Sequence, residues 1–148
     1  MTFYTRFNFE TGETEQVDLT PEEIAARTPT LAQARSDKLA ALSERRWQAE
    51  TGGTLVGGVP VKTDSSSTAK ITAAYAQAKE NPNFTVNWKV DTAMFVTLDA
   101  VTIIAIGDAV TAHVQACFDN EMALTASIML AADVAALDAI DIASGWPS

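Results

Sequence analysis

Aromatic and polar residues alternate at the start of the chain. Phe3, Phe7 and Phe9 share one parity with Thr5, and Tyr4, Arg6 and Asn8 share the other, the spacing of a half-buried strand. Glu10 to Glu13 reads as a turn around Gly12 and Thr14 to Leu19 as the returning strand, so a β-hairpin is expected. Thr20-Pro21-Glu22-Glu23 then combines a threonine cap, a proline at the first helical position and a glutamate three residues after the cap, which together start a helix. Pro29 cuts it short and favours a restart, with Thr28 as the second cap. From about Thr30 to Thr51 the residues are good helix formers with a narrow apolar stripe of Leu31, Leu39, Leu42 and Ala49, and Gly52-Gly53 supplies a stop. This helix is expected at the edge of a core or between two parts.

Gly57-Gly58 followed by alternating Val59 and Val61 predicts a second hairpin or a short strand, and Asp64 or Ser65 caps a helix running to about Lys79. Phe84, Val86 and Trp88 face one way and Thr85, Asn87 and Lys89 the other. Met94 to Leu98 resumes the alternation after Asp91-Thr92-Ala93, a further hairpin. Thr97-Leu98-Asp99 opens the last helical region, expected to run to about Ser144 with a bend near Asp133.

At 100° per residue that region carries two apolar rows. Ile103, Ile106, Val110, Val114, Cys117, Leu124 and Ile128 form a core stripe opposite Asp108, Gln115, Asp119 and Asp133. Ile104, Phe118, Met122 and Met129 lie about 100° around from it. Either the small hairpins cover this second row or another subunit does, because large apolar patches are uncommon on soluble monomers. The expected architecture is therefore α+β: an N-terminal β-hairpin over 1–20, linker helices over 21–53, and a compact C-terminal module over 54–148 with a short helix, a β-hairpin and long C-terminal helices.

Composition narrows the function. The chain has 148 residues, 47% of them hydrophobic and 20% charged, enough for one domain with a small appendage and not for two enzyme domains. The formal charge is −9. No Lys or Arg follows Lys89, whereas eight Asp and Glu do, a poor surface for nucleic acid or anionic lipid. Arg45-Arg46-Trp47 reads as a solvated helix face with one anchoring aromatic, and no nucleic-acid partner is expected. The absence of a basic n-region ahead of an apolar stretch predicts no secretory signal, hence synthesis and retention in the cytoplasm unless the protein leaves within an assembly. Asp99, Asp108, Asp119, Glu121 and Asp133 are read as breaking every apolar run short of a membrane span, so no membrane insertion is expected.

Candidate chemistry is sparse. Ser67-Thr68-Ala69-Lys70 has the spacing that lets a lysine activate a serine, but no later lysine completes such a site, and Ser65 to Thr68 are expected to serve as capping hydroxyls. His113 and Cys117, four apart, could offer two metal ligands or a base and nucleophile. With no other His or Cys in the chain they are expected as a packing-boundary histidine and a core cysteine. Glu121 falls on the core stripe and must be exposed or paired with a base from the first half. No catalytic, cofactor-binding or metal-binding residue is assigned, and no enzyme is expected.

The run from about Arg35 to Pro147 resembles a bacteriophage tail-associated domain of unknown function, commonly encoded near tail-fibre and baseplate genes. The resemblance is carried by Arg35, Leu39 and Arg46-Trp47, by Gly58-Val59-Pro60-Val61 with Thr63-Asp64, Ser67 and Ile71, and by Phe84, Trp88-Lys89 and Val96-Thr97-Leu98. It continues through His113-Val114-Gln115-Ala116-Cys117-Phe118 to Ile140-Asp141 and Gly145-Trp146-Pro147. Thr68 stands where the family often has glutamine, and Asp91-Thr92-Ala93 where it often has Asp-Gly. The resemblance implies a virion structural protein of the tail tip, baseplate or tail-fibre attachment, working by protein–protein docking to other tail or tail-fibre subunits. The alternative is a tail-fibre assembly chaperone, and a small hydrolase is a remote third. Expected contact residues are Ile104, Phe118, Met122 and Met129, with Phe3, Phe7 and Phe9 as a second patch. The spacing of Ile104, Thr111 and Phe118 is compatible with a homo-trimer.

Overall fold

In the computed structural model, which describes residues 3–147, three separate antiparallel hairpins alternate with helices to give an α+β fold. Met1, Thr2 and Ser148, which fall within the expected boundaries, lie outside the described residues. Strands β1 (Phe3–Phe7) and β2 (Thr14–Asp18) pair with Phe3 opposite Asp18 and Phe7 opposite Thr14. The expectation of a half-buried strand is corrected here. Every residue of β1 is exposed and only Val17 of β2 is partly covered, because no third layer lies over the phenylalanine side of the hairpin.

Helix α1 (Pro21–Arg27) starts with both halves of the capping box: Glu23 N–H donates to the Thr20 hydroxyl, and Thr20 N–H donates to the Glu23 carboxylate. Thr28, expected to cap the next helix, instead ends this one by donating its N–H back to Ile24 and Ala25. Thr30 caps α2 (Leu31–Thr51), accepting from Gln33 N–H. Pro29 accounts for the shift, since a proline can begin the new approach but cannot donate into the old helix.

Strands β3 (Thr54–Val56) and β4 (Val59–Val61) are joined by Gly57 and Gly58, both at positive φ as the tight primed turns of hairpins require. Asp64 caps α3 (Ser65–Glu80), and Asn81 ends it. Strands β5 (Thr85–Asp91) and β6 (Met94–Asp99) pair with a register irregularity between Lys89 and Asp91. Asp99 closes β6 and caps α4 (Ala100–Leu130) through Thr102 N–H, so Thr97 and Leu98, expected to open the helix, remain strand.

The last helix does not continue to Ser144. It ends at Leu130, and after Ala131 the chain turns into α5 (Val134–Asp138), capped by Asp133. The Arg35 guanidinium donates to the carbonyls of Ile128 and Ala131 at 3.2 and 2.9 Å, satisfying acceptors that the helix terminus frees. The turn brings Leu137 into a core cluster with Leu42, Ile128 and Ala131, backed by Leu39, Leu124 and Trp146. A second cluster of Ala74, Ala78, Ala100 and Ile103 joins α3 to the β5–β6 hairpin through Phe84, Val86 and Leu98. Helix α4 thus runs through both clusters, packed by α2 and α3. The acidic residues do not keep it below the requirements of a bilayer span: by length and composition alone its 31 residues meet them, although in this fold α2 and α3 occupy its inner face.

Candidate functional site

The two apolar rows of α4 fare differently. On the inner stripe Ile103, Val110, Cys117 and Ile128 are buried and Ile106, Val114 and Leu124 half-buried. On the outer row Ile104 is half-buried against the α3 cluster, whereas Phe118, Met122 and Met129 are 45%, 69% and 56% exposed. The uncovered surface therefore concentrates in the C-terminal half of α4, where Leu130 adds to it. Four apart on a helix, Phe118 and Met122 are neighbours on one face, and Met129 continues that face two turns on.

Charges from α2 hold this half of α4 in place. Arg46 Nε lies 3.0 Å from Glu121 Oε2, and the Ser43 hydroxyl donates to Glu121 Oε1 at 3.0 Å. Arg46 also pairs with Glu50 one turn along α2, and its guanidinium carbon stands 4.7 Å from the centre of the Phe118 ring. The Nε contact to Glu121 is an ion pair without an aligned hydrogen bond. One arginine thus neutralises the carboxylate on the core stripe and supports the inner side of Phe118, leaving the ring's other side outward. The pairing expected of Glu121 with a base from the first half is found.

The N-terminal patch has a different form. Phe3, Phe7 and Phe9 are 37%, 50% and 91% exposed, and the Phe7 and Phe9 rings meet edge to face at 5.1 Å. Arg6 and Glu15 pair at 2.8 Å across the hairpin, which raises the arginine's pKa. The reading of Arg45-Arg46-Trp47 is corrected: Trp47, expected as the anchor, is 53% exposed, and Arg46, expected on the solvated face, is the withdrawn, ion-paired residue. Other exposed apolar side chains escaped the sequence reading: Val101, Leu55 beside the Gly57-Gly58 turn, and Met94 and Phe95 in β6. The short strands carried a signal for the last three, since a two-stranded ribbon has no second layer to cover both faces.

The residues with catalytic precedent are placed in structural roles. His113 is buried, its Nε2 donates to the Ala49 carbonyl at 3.1 Å, and its Nδ1 is buried with no hydrogen-bond partner. Cys117 Sγ is 4.0 Å from Nε2, and burial pushes the thiol's pKa up, with Glu50 adding to the shift. A protonated, enclosed thiol is a poor nucleophile. The Ser67 hydroxyl donates to Asp64 Oδ2 at 2.7 Å and its N–H to Oδ1 at 3.0 Å, while the Thr68 hydroxyl donates to the Thr63 carbonyl. These bonds finish the start of α3 and hold the Asp64 carboxyl below its ordinary pKa. Among the described residues, no three His, Cys, Asp or Glu side chains gather as a metal ion would require.

Residues 33–144 match a protein-family model described as Domain of unknown function (DUF4376). Comparison with curated proteins and with solved structures returns no match.

Proposed function

Since the chain belongs to the DUF4376 family, whose description assigns no activity, we propose that its work is docking. In this reading it is a structural component of a bacteriophage tail tip, baseplate or tail-fibre attachment, seated against neighbouring subunits through the C-terminal half of α4. The phage context rests on the resemblance carried by Arg46-Trp47, Trp88-Lys89, His113 to Phe118 and Gly145-Trp146-Pro147. The observation that supports docking is the open row of Phe118, Met122 and Met129 on a helix whose other side is built into the core.

Charge narrows the kind of neighbour. Asp108 and Asp119 are exposed on the same helix, and no Lys or Arg follows Lys89 in the chain. A complementary surface is apolar at its centre with Lys or Arg around it, the usual division of a specific interface. The phenylalanines of β1 and the following turn, Phe3, Phe7 and Phe9, offer a second contact through a hairpin that has little to pack on within its own chain.

The test is mass spectrometry of purified mature particles from a phage encoding this chain, with wild type compared against Phe118→Ser/Met122→Ser. Stoichiometric copies of the wild type and loss of the folded variant from particles support the reading. Absence of the wild-type chain from particles overturns it. If fibres also fail to form without the chain, the function becomes that of an assembly chaperone.

A further inference from the structure

The chain has four methionines, and none of the three among the described residues is buried. Met94 lies in β6, and Met122 and Met129 lie on the outer row of α4, each more than half exposed. Methionine is ordinarily among the residue types most often enclosed, so its concentration on the open row is informative. The buried apolar side chains are Leu, Ile, Val and Ala, with Cys117 the one sulfur among them.

A thioether needs only exposure to react with a peroxide. Its sulfur lone pair attacks one peroxide oxygen, the O–O bond breaks, that oxygen stays on sulfur, and its proton joins the departing hydroxide as water. Sulfur gives up two electrons and the peroxide takes them. A thiol must first become a thiolate, and Cys117 is fully buried, with its pKa pushed up by that burial. Peroxide chemistry is thereby kept out of the core and directed to the surface thioethers. Met122 follows Phe118 by one turn and Met129 lies two turns beyond it, so a sulfoxide at each would set strong acceptors along an apolar row. Inside an apolar interface, an acceptor without a donor carries its full desolvation cost.

We infer that Met122 and Met129 are an oxidation site, at which peroxide turns the outer row of α4 from apolar to polar with the fold intact and so closes it to a docking partner. The loss of docking rests on the function proposed above, whereas the oxidation and the change of surface do not. The step is reversible: methionine sulfoxide reductases return the thioether, with two thiols oxidised to a disulfide and the oxygen released as water.

The experiment treats the full chain and Met122→Leu/Met129→Leu with hydrogen peroxide and follows peptide masses, thermal unfolding and retention on a hydrophobic-interaction column. Met122 and Met129 should each gain one oxygen at a rate within about threefold of N-acetylmethionine amide, while Cys117 stays unmodified. The melting temperature should move by less than about 2 °C, because the modified side chains lie outside the core. Oxidised wild type should elute earlier, and both methionine sulfoxide reductases with dithiothreitol should restore its retention. The leucine variant, whose Met94 is oxidised as well, should shift much less. Oxidation of either row methionine more than about tenfold slower than the model amide, loss of the folded transition, or an equal shift in the two chains overturns the site.

Docking is read separately, by adding each form to an extract of cells infected with a phage that lacks this chain and counting its copies in the particles formed. Entry of the reduced chain, the reductase-treated chain and the oxidised leucine variant, with oxidised wild type at least about tenfold lower, supports the switch. Oxidised wild type entering as well as the reduced chain overturns it. A reduced chain that stays out of particles refutes the docking function, and the loss of docking with it, while the oxidation site is still decided by the masses and the column.

Discussion

The ring of Tyr75 fills the space that a side chain at Gly107 would need: a Cβ there would lie 2.4 Å from Tyr75 Cδ2. A glycine inside a long helix ordinarily costs about 1 kcal/mol relative to alanine. Here it lets α3 approach α4 closely enough for the Tyr75 hydroxyl to donate to Asp108 at 2.9 Å, a bond that also raises the tyrosine's pKa. Gly107→Ala should therefore destabilise the protein by about 1–3 kcal/mol despite the better helix former. In a Tyr75→Ala background the same change should become neutral or stabilising by up to about 1 kcal/mol. Urea unfolding of the four chains checks this, and a Gly107→Ala effect that keeps its sign in both backgrounds would refute the packing account.

Arg46 and Glu121 each retain 19% of their side-chain surface, so their pairing is largely withdrawn from water. Arg46→Met leaves Glu121 and Glu50 without their base and removes the cation behind Phe118, for an expected loss of about 1–3 kcal/mol after allowing for residual solvent. Arg46→Met/Glu121→Met should recover part of that loss, because two apolar side chains carry no desolvated charge. Thermal unfolding of the single and double variants gives the coupling. Additive effects would mean that the pair contributes nothing of its own.

The parts of this fold that the sequence makes legible are those set by neighbours in the chain. Thr20 with Glu23, Asp64 before α3, Gly57-Gly58 between two short strands and the core stripe of α4 all follow from local spacing, and each is present. What distance in the chain decides is not legible. Nothing between Ala131 and Ala139 other than Asp133 breaks a helix, and α4 ends where it does with Arg35, 93 residues before Ile128, on its last carbonyls. Alternation at Phe3, Phe7 and Phe9 marks an apolar face without saying whether anything covers it. Helical arithmetic placed Phe118, Met122 and Met129 on an outer row, but the burial of Ile104 by the α3 cluster shows only in three dimensions.

Three aspartates tie stability to acid. The side-chain and backbone bonds of Ser67 lower the pKa of Asp64, those of Thr102 lower that of Asp99, and the Ala143 N–H followed by the Ser144 hydroxyl lowers that of Asp141, each from an ordinary 3.8. A carboxyl depressed in the folded state binds its proton more weakly there than in the unfolded chain. Its contribution is therefore complete above the unfolded value and is lost as pH falls through the folded one. Melting temperature should be insensitive to these groups between about pH 5 and 7 and fall progressively below about pH 4. Asp64→Asn/Asp99→Asn/Asp141→Asn should show a shallower acid decline, because asparagine keeps the acceptor without titrating. Equal slopes for the two proteins below about pH 4 would assign acid sensitivity to other carboxylates.

Cys117 offers a chemical reporter on the packing of α4. Its side chain is fully buried, its thiol is pushed up in pKa chiefly by burial, and it lies four residues after His113, whose ring is anchored to Ala49 of α2. A disulfide reagent can reach the sulfur only when α2 and α4 separate, and at neutral pH it meets a protonated thiol even then. Reaction with Ellman's reagent should accordingly be at least about 100-fold slower in native buffer than in denaturant, consistent with an opening cost of several kcal/mol. Removing the anchor should loosen this contact, and it also takes away the ring that stands 4.0 Å from the sulfur. His113→Ala leaves a cavity and frees the Ala49 carbonyl, so it should accelerate native-state modification by about tenfold or more and lower stability by about 2 kcal/mol. Phe118→Ser, on the open side of the same helix, should change the reaction rate by less than about threefold, since its ring is already half exposed. If Phe118→Ser speeds modification as much as His113→Ala does, the outer row is part of what keeps α4 closed, and its exposure cannot be ascribed to an absent partner.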